Sequence, residues 1–289
     1  MKLTFITGKG GVGKSAVTAG LATALASLKF NVGVVELGET RMPDFFDTSR
    51  PEKITFLNLN AKSCFEEYAG RHIPKQAMLL IQNRWVEHFI DATPGLNEIL
   101  LLGKIASLIE EESWDFLLVD SPATGHTISL CDAPRIALNA LHHGPLKSSV
   151  EKIWQLLHDP SQTDFLLVTE LENFIVQETA ELYQHISESL EMKPQGVLVN
   201  GMLDKNFLLP DALPKKFPPE AIPLMEILSA TRERKKREEQ LLREIKKTIP
   251  LDFGEITQQE SAVSESSLRK TIAEQIKPWV LKHYSKKNV

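Results

Sequence analysis

Short apolar runs recur along the chain, with longer segments of mixed periodicity between them. Leu3, Phe5 and Ile6 open the series, and residues 32–35, 54–59, 116–119, 165–169 and 197–199 continue it. Runs of this length, bounded by polar or turn residues, predict buried strands. The stretch 16–28 is rich in Ala and Leu and free of proline, as a helix requires. Strands alternating with helices imply right-handed crossovers and a mostly parallel, twisted sheet flanked by helices. The predicted fold class is therefore α/β, and ligands of such sheets bind at the carboxyl ends of the strands.

Two regions interrupt the alternation. Residues 61–112 are mostly helical in pattern and crowded with large apolar side chains, from Met78, Leu79, Leu80, Ile81 and Trp85 to Ile99, Leu100, Leu101 and Leu102. The pattern suits helices packed on the sheet or on each other first, and an exposed groove for apolar clients or a partner helix second. Residues 231–247 are dense in charge, with Leu241, Leu242 and Ile245 as anchors, which predicts a solvated helix with one narrow apolar stripe. Five prolines between 210 and 223 mark an irregular connection. With no internal repeat, the expected organisation is one domain over residues 1–289 with a helical insertion at about 61–112.

Composition narrows the classes of function. Lys and Arg number 33 against 38 Asp and Glu, a net charge of −5, so no nucleic-acid partner is expected. Cys64 and Cys131 lie far apart with no C-x-x-C pair, which signals neither a zinc clip nor a disulfide framework. Cys131 reads as a packed core thiol. A strand that begins at once leaves no expected room for a leader peptide. The longest apolar runs fall short of an integral membrane segment. The expected location is the cytoplasm, with any membrane approached through a partner.

The chemistry is concentrated in residues 8–15, Gly-Lys-Gly-Gly-Val-Gly-Lys-Ser, which fit the phosphate-binding loop pattern G-x-x-x-x-G-K-[ST] at every fixed position. A predicted strand precedes the loop and a predicted helix follows it, the context that the motif needs. Gly8, Gly10, Gly11 and Gly13 let the chain wrap closely around phosphate oxygens. Backbone N–H groups of the loop, through Val12 to Ala16 at the helix start, favour an anion. Lys14 is expected to reach the β- and γ-phosphates and the Ser15 hydroxyl to bind Mg²⁺, so the expected ligands are ATP and Mg²⁺. Lys9 is a second lysine within the loop, which suggests a nucleotide held between two subunits.

A second motif, Asp120-Ser-Pro-Ala-Thr-Gly-His-Thr127, follows the predicted strand 116–119. An acid at a strand end downstream of a phosphate loop can hold the Mg²⁺ shell through water. Gly125 lets a backbone N–H approach the γ-phosphate, and such a loop senses whether that phosphate is there.

The two-lysine loop and the Asp120 motif together resemble the arsenite-pump and tail-anchored-protein targeting ATPase family. It belongs to the deviant phosphate-loop ATPases that also include the partition and division-site ATPases. The chain is most similar to short bacterial single-domain members, through Pro94-Gly-Leu-Asn-Glu98, Gly103-Lys104-Ile105, Gly144-Pro-Leu146, Asp159-Pro160, Val168-Thr169, Glu178-Thr179 and Val199-Asn200. The resemblance spans roughly residues 1–200. It implies that Lys9 reaches the nucleotide of a partner subunit, that Lys14 and Ser15 serve phosphate and magnesium, and that Asp120 is the magnesium-shell acid. It implies that Asn200 recognises adenine and that Ile249-Pro250-Leu251 packs on the base. An amide suits the donor and acceptor edge of adenine, although Asn also caps strand ends. A homodimer, or a heterodimer with a paralogue, and a protein client or partner are implied as well.

The resemblance also has gaps. The family places a water-positioning aspartate just past the second strand, and aligning Asp44-Phe-Phe with its pattern puts Leu37 there. Glu36 and Glu39 lie close by and are the remaining candidates, with Glu39 favoured because it lies beyond the strand. The family's zinc clip and cysteine trio are absent. Three functions follow. The first is a dimeric ATP-driven switch that hydrolyses ATP. The second is a weakly or non-hydrolysing regulatory subunit. The third is a partition or division-site ATPase, whose tail 276–289 would touch an anionic membrane rather than dock on the sheet.

Overall fold

The computed structural model describes residues 1–37, 42–46, 53–72, 88, 90, 92–111, 113–122, 124–204, 218, 221–259 and 264–284. Seven parallel strands form one sheet: β1 (Lys2–Thr7), β2 (Val32–Leu37), β3 (Ile54–Leu59), β4 (Phe116–Asp120), β5 (Thr163–Thr169), β6 (Pro194–Met202) and β7 (Asp252–Thr257). Their order is β3-β2-β4-β1-β5-β6-β7, so β1 lies at the centre between β4 and β5. The apolar runs read as strands are all strands; the inner ones are buried on both faces, as a parallel sheet under helices demands, and the edge strand β3 is only partly covered.

Helices cover both faces. On one lie α1 (Lys14–Ser27), the short α2 (Met42–Phe45) and the last helix, which begins at Glu265 and ends at Tyr284. On the other lie α3 (Ala61–His72), α4 (Leu96–Glu111), α5 (Thr124–Ala140), α6 (Pro145–His158), α7 (Asn173–Gln184) and α8 (Ile222–Thr248). The last helix is therefore α9 (Glu265–Tyr284).

Within the proposed insertion, α3 and α4 are helices, and Ile99, Leu102, Ile105 and Leu108 are buried in the core. Those residues pack rather than line a groove; Met78 to Trp85 lie outside the described residues. The charge-dense segment is helical as expected, with Leu241 and Ile245 buried and most of its charges exposed. Most of the proline-rich connection lies outside the described residues, and Pro223 falls in the first turn of α8. Residues 276–284 of the tail dock on the sheet, since Trp279, Val280 and Tyr284 are buried and Tyr284 meets Phe116 edge-on; residues 285–289 lie outside the described residues. Among the described residues no helix is long and apolar enough to cross a membrane.

Strand β7 had no counterpart in the sequence reading. Only Phe253 and Ile256 are apolar in it, and its small Gly254 fits beneath Leu198 and Trp279. Its position corrects one site assignment. Since β7 runs parallel to β6, with Gly196 beside Asp252 and Val199 beside Glu255, Pro250 precedes the strand at the amino edge of the sheet. The phosphate loop lies at the carboxyl edge, roughly 17 Å along the strand by the ordinary rise per residue. Pro250 is exposed and is not brought to the loop.

Candidate functional site

The loop leaves the carboxyl end of β1 and enters α1 at Lys14. Gly13 forms the turn into the helix with φ 81°, a left-handed conformation, and a methyl there would collide with the Asn200 amide. Sequence and position thus agree that only glycine fits. The Lys14 ammonium curls back over the loop and donates to the Gly8 carbonyl at 3.1 Å and the Lys9 carbonyl at 2.9 Å.

Opposite the loop stands Asp120, brought there by the β1–β4 register that sets Ile6 beside it. Ser15 Oγ donates to Asp120 Oδ2 at 2.7 Å, and Thr18 Oγ1 donates to Oδ1 at 3.1 Å. Burial holds the Asp120 carboxyl above the usual range; the two hydroxyls and Lys14 pull the other way, and nearby Glu36 adds to the rise. Thr7 Oγ1 donates to Thr127 Oγ1 at 3.0 Å, and Thr127 donates to the Pro122 carbonyl at 3.2 Å, tying the segment after β4 to β1.

A hydroxyl and a carboxylate in contact at the mouth of an anion-binding loop are hard oxygen donors. Mg²⁺ takes one or two such protein ligands and fills the rest of its octahedron with waters and phosphate oxygens. The residues present therefore fit Mg²⁺, and Ser15 and Asp120 are the side chains that would hold it.

Gly125 is the second residue of α5, in the first turn, where backbone N–H groups lack intrahelical acceptors. It is exposed, and a methyl on it would meet nothing nearby. The sequence reading made this segment a loop; it is a helix start, which offers N–H groups to an anion equally well.

Glu36 faces Asp120 across the β2–β4 register but is only 3% exposed, and its Oε1 accepts the Met42 N–H at 2.8 Å. That bond anchors the chain entering α2, so the side chain has a structural task. Glu39 lies outside the described residues. Leu37 ends β2 and, with Asn60, Glu98, Pro122, His126 and Leu130, lines a cleft of about 380 Å³ beside the site.

Asn200 reaches the loop from β6, where its Nδ2 donates to the Val12 carbonyl at 3.0 Å. Lys9 is held within its own chain by α7: its ammonium lies 3.2 Å from Glu178 Oε2 and 3.6 Å from the Phe174 ring centroid. Cys131 is fully buried beside the site in sequence, and burial pushes its thiol up to about 12, the mark of a packed core thiol.

Sequence reasoning missed Thr18, Phe174 and the partner role of Glu178. Thr18 could have been found, since it lies one helical turn beyond Ser15 and shares its face. Phe174 carries no such signal, because its contact with Lys9 arises only through the β5–α7 turn.

Fold and site together define an α/β protein of the phosphate-loop NTPase class. Residues 1–144 match the anion-transporting ATPases as a family. The chain is 30% identical over 224 residues to ATPase BagA of Mycobacterium tuberculosis, covering 69% of this chain and 65% of that protein. It is 25% identical over 239 residues to an arsenical pump-driving ATPase of Escherichia coli, covering 72% and 41%. It is 22% identical over 258 residues to ATPase get3 of Schizosaccharomyces pombe, covering 75% and 78%. The chain belongs to the anion-transporting ATPase family. It spans 65% of the length of its mycobacterial relative.

Proposed function

We propose that the chain, acting as one domain, binds ATP with Mg²⁺ in the loop at residues 8–15, hydrolyses it, and uses it as a switch between a monomer and a dimer. The observation that carries this reading is the contact of Ser15 with Asp120 at 2.7 Å, facing the loop that Lys14 closes. In that role the Lys14 ammonium exchanges loop carbonyls for phosphate oxygens, both being acceptors of similar reach. The loop N–H groups orient the phosphates, and Ser15 and Thr18 fix the Asp120 carboxylate by one hydrogen bond to each of its oxygens. Bound Mg²⁺ would neutralise charge on the β- and γ-phosphates. Lys9 would leave its own chain and reach a second subunit, a copy of this chain or a paralogue, and a protein client would bind the assembled form. We place this activity in the cytoplasm.

Phosphate release by the purified chain tests the enzymatic part. Lys14→Ala is expected to lower turnover by about a hundredfold or more, as loss of a preorganised charge donor does. Equal turnover in the variant would remove the loop from the reaction.

A second reading is a weakly hydrolysing regulatory subunit. The engagement of Glu36 with the Met42 N–H, next to Leu37, favours it, because that carboxylate is already committed. Single-turnover hydrolysis separates the two: prompt phosphate release by the chain alone sinks the regulatory reading. The membrane-tail reading has less to draw on, because Trp279, Val280 and Tyr284, three of its apolar residues, are buried against the sheet.

A further inference from the structure

Strand β6 does not keep step with β7. Val199 pairs with Glu255, but the next pair is Met202 with Thr257, so β6 spends three residues where β7 spends two. The extra residue is taken up at Asn200–Gly201, and Gly201 has φ 70°, the left-handed conformation of a glycine bulge. Bulges re-aim side chains, and this one aims Asn200 at the phosphate loop, onto the Val12 carbonyl and against Gly13.

The bulge is held by two residues of α8. Arg234 uses each of its three nitrogens on a different element: Nη2 donates to the Gly201 carbonyl at 2.8 Å, Nη1 to Gln258 Oε1 at 2.8 Å, and Nε to Glu238 Oε1 at 2.7 Å. Glu238, 7% exposed, accepts the Leu203 N–H on its other oxygen at 3.0 Å. Gln258 is fixed in turn, its N–H donating to the Met202 carbonyl at 2.7 Å. The two side chains therefore grip the bulge on both sides of Met202 and fasten it to the chain leaving β7. A planar guanidinium can make this fork, whereas an ammonium cannot. Most other charges of this helix are exposed, whereas this pair reaches Gly201 and Leu203 at the end of β6.

We propose that Arg234 and Glu238 are positioning residues that hold the Asn200 bulge in register with the phosphate loop and so set the preference for adenine over guanine nucleotides. This rests on the reading of Asn200 as the side chain that recognises the base. With one of its two N–H groups given to Val12, the Asn200 amide keeps a donor and an acceptor for the edge of adenine. That pairing needs placement within a fraction of an ångström, which is what the clamp supplies.

The test is competition of ATP and GTP for a fluorescent ATP analogue on the full chain, with thermal unfolding of every variant. The wild type is expected to prefer ATP. Asn200→Ala should lose that preference, and Arg234→Ala should lose about tenfold of it, mainly through weaker ATP binding, with GTP binding little changed. The double variant should be no worse than Asn200→Ala alone, because both act through one group. Arg234→Lys and Glu238→Gln, which keep size, should fall between, and either replaces Arg234→Ala should that chain not fold. Equal losses for ATP and GTP, or an unchanged preference beside a lost one in Asn200→Ala, overturn the positioning role. A preference that survives Asn200→Ala overturns the base-recognition reading itself, and with it the proposal.

Discussion

Asp164 is a carboxylate that the fold opposes. It lies on β5 at the amino edge of the sheet, 1% exposed, and its Oδ2 is buried without a hydrogen-bond donor. Burial holds its carboxyl above the usual range, although Lys2 at 3.3 Å, the Gln195 amide and His283 pull it down. The neighbouring Tyr284 phenol is likewise pushed up by burial. A carboxyl raised in the folded state favours folding while it is protonated and loses that contribution as pH rises through the carboxylate range. At neutral pH the charge therefore costs stability. Asp164→Asn removes a charge that burial opposes, while Lys2 keeps the Pro160 carbonyl as an acceptor at 3.0 Å, so the variant is expected to melt higher than the wild type at pH 7 and to show no gain near pH 4. Melting temperatures at the two pH values check this, and a gain that persists in acid would show the charge is not the cause. Asp120, whose charge burial likewise opposes, is retained at the site itself.

Among elements, the phosphate loop, α1 and β4 were legible because their information is local: a fixed motif, an Ala-rich helix and an apolar run ending in an acid. The strands around them were legible for the same reason. What escaped was long-range. Strand β7 has only two apolar residues, and its pairing with β6, not its composition, makes it a strand. Pro250 was misplaced because β7, the strand it leads into, was not foreseen. The Asn200 bulge exists only as a mismatch between two strands.

Helix α7 shows the same limit with a functional consequence. Phe174, 62% exposed, and Glu178 lie one turn apart and hold Lys9 between them. An exposed cation–π contact contributes about 0.5–1 kcal/mol and an exposed ion pair at most about 1. Within the proposed switch, this hold competes with the passage of Lys9 to a partner, and each dimer must release it twice. Phe174→Ala is expected to tighten ATP-dependent dimerisation by about tenfold, read by sedimentation, whereas Lys9→Ala should weaken it. Weaker dimerisation in Phe174→Ala would instead make the ring part of the interface.

At the scale of the whole molecule, the loop is only as rigid as the helix it starts. Helix α1 is pressed between the sheet and α9, so closely that a methyl on Gly20 would collide with Ile272. Helix α9 is in turn fixed by Tyr284 against Phe116 on β4, the strand that carries Asp120. The two arms of the site, the loop on α1 and the acid on β4, are thus braced by one helix far from both in sequence. Gly20→Val overpacks this seam and is expected to destabilise the chain by about 1–3 kcal/mol. Mg²⁺-ATP bound only by the folded form should return about 2.7 kcal/mol at a hundred times its dissociation constant. The expected melting curves are therefore a wild type raised by nucleotide, a Gly20→Val chain lowered without it and largely restored with it, and a Lys14→Ala chain that nucleotide does not move. Should Gly20→Val melt like the wild type, α9 is not the brace. Should it fall and not respond to nucleotide, the seam shapes the loop itself as well as supporting it.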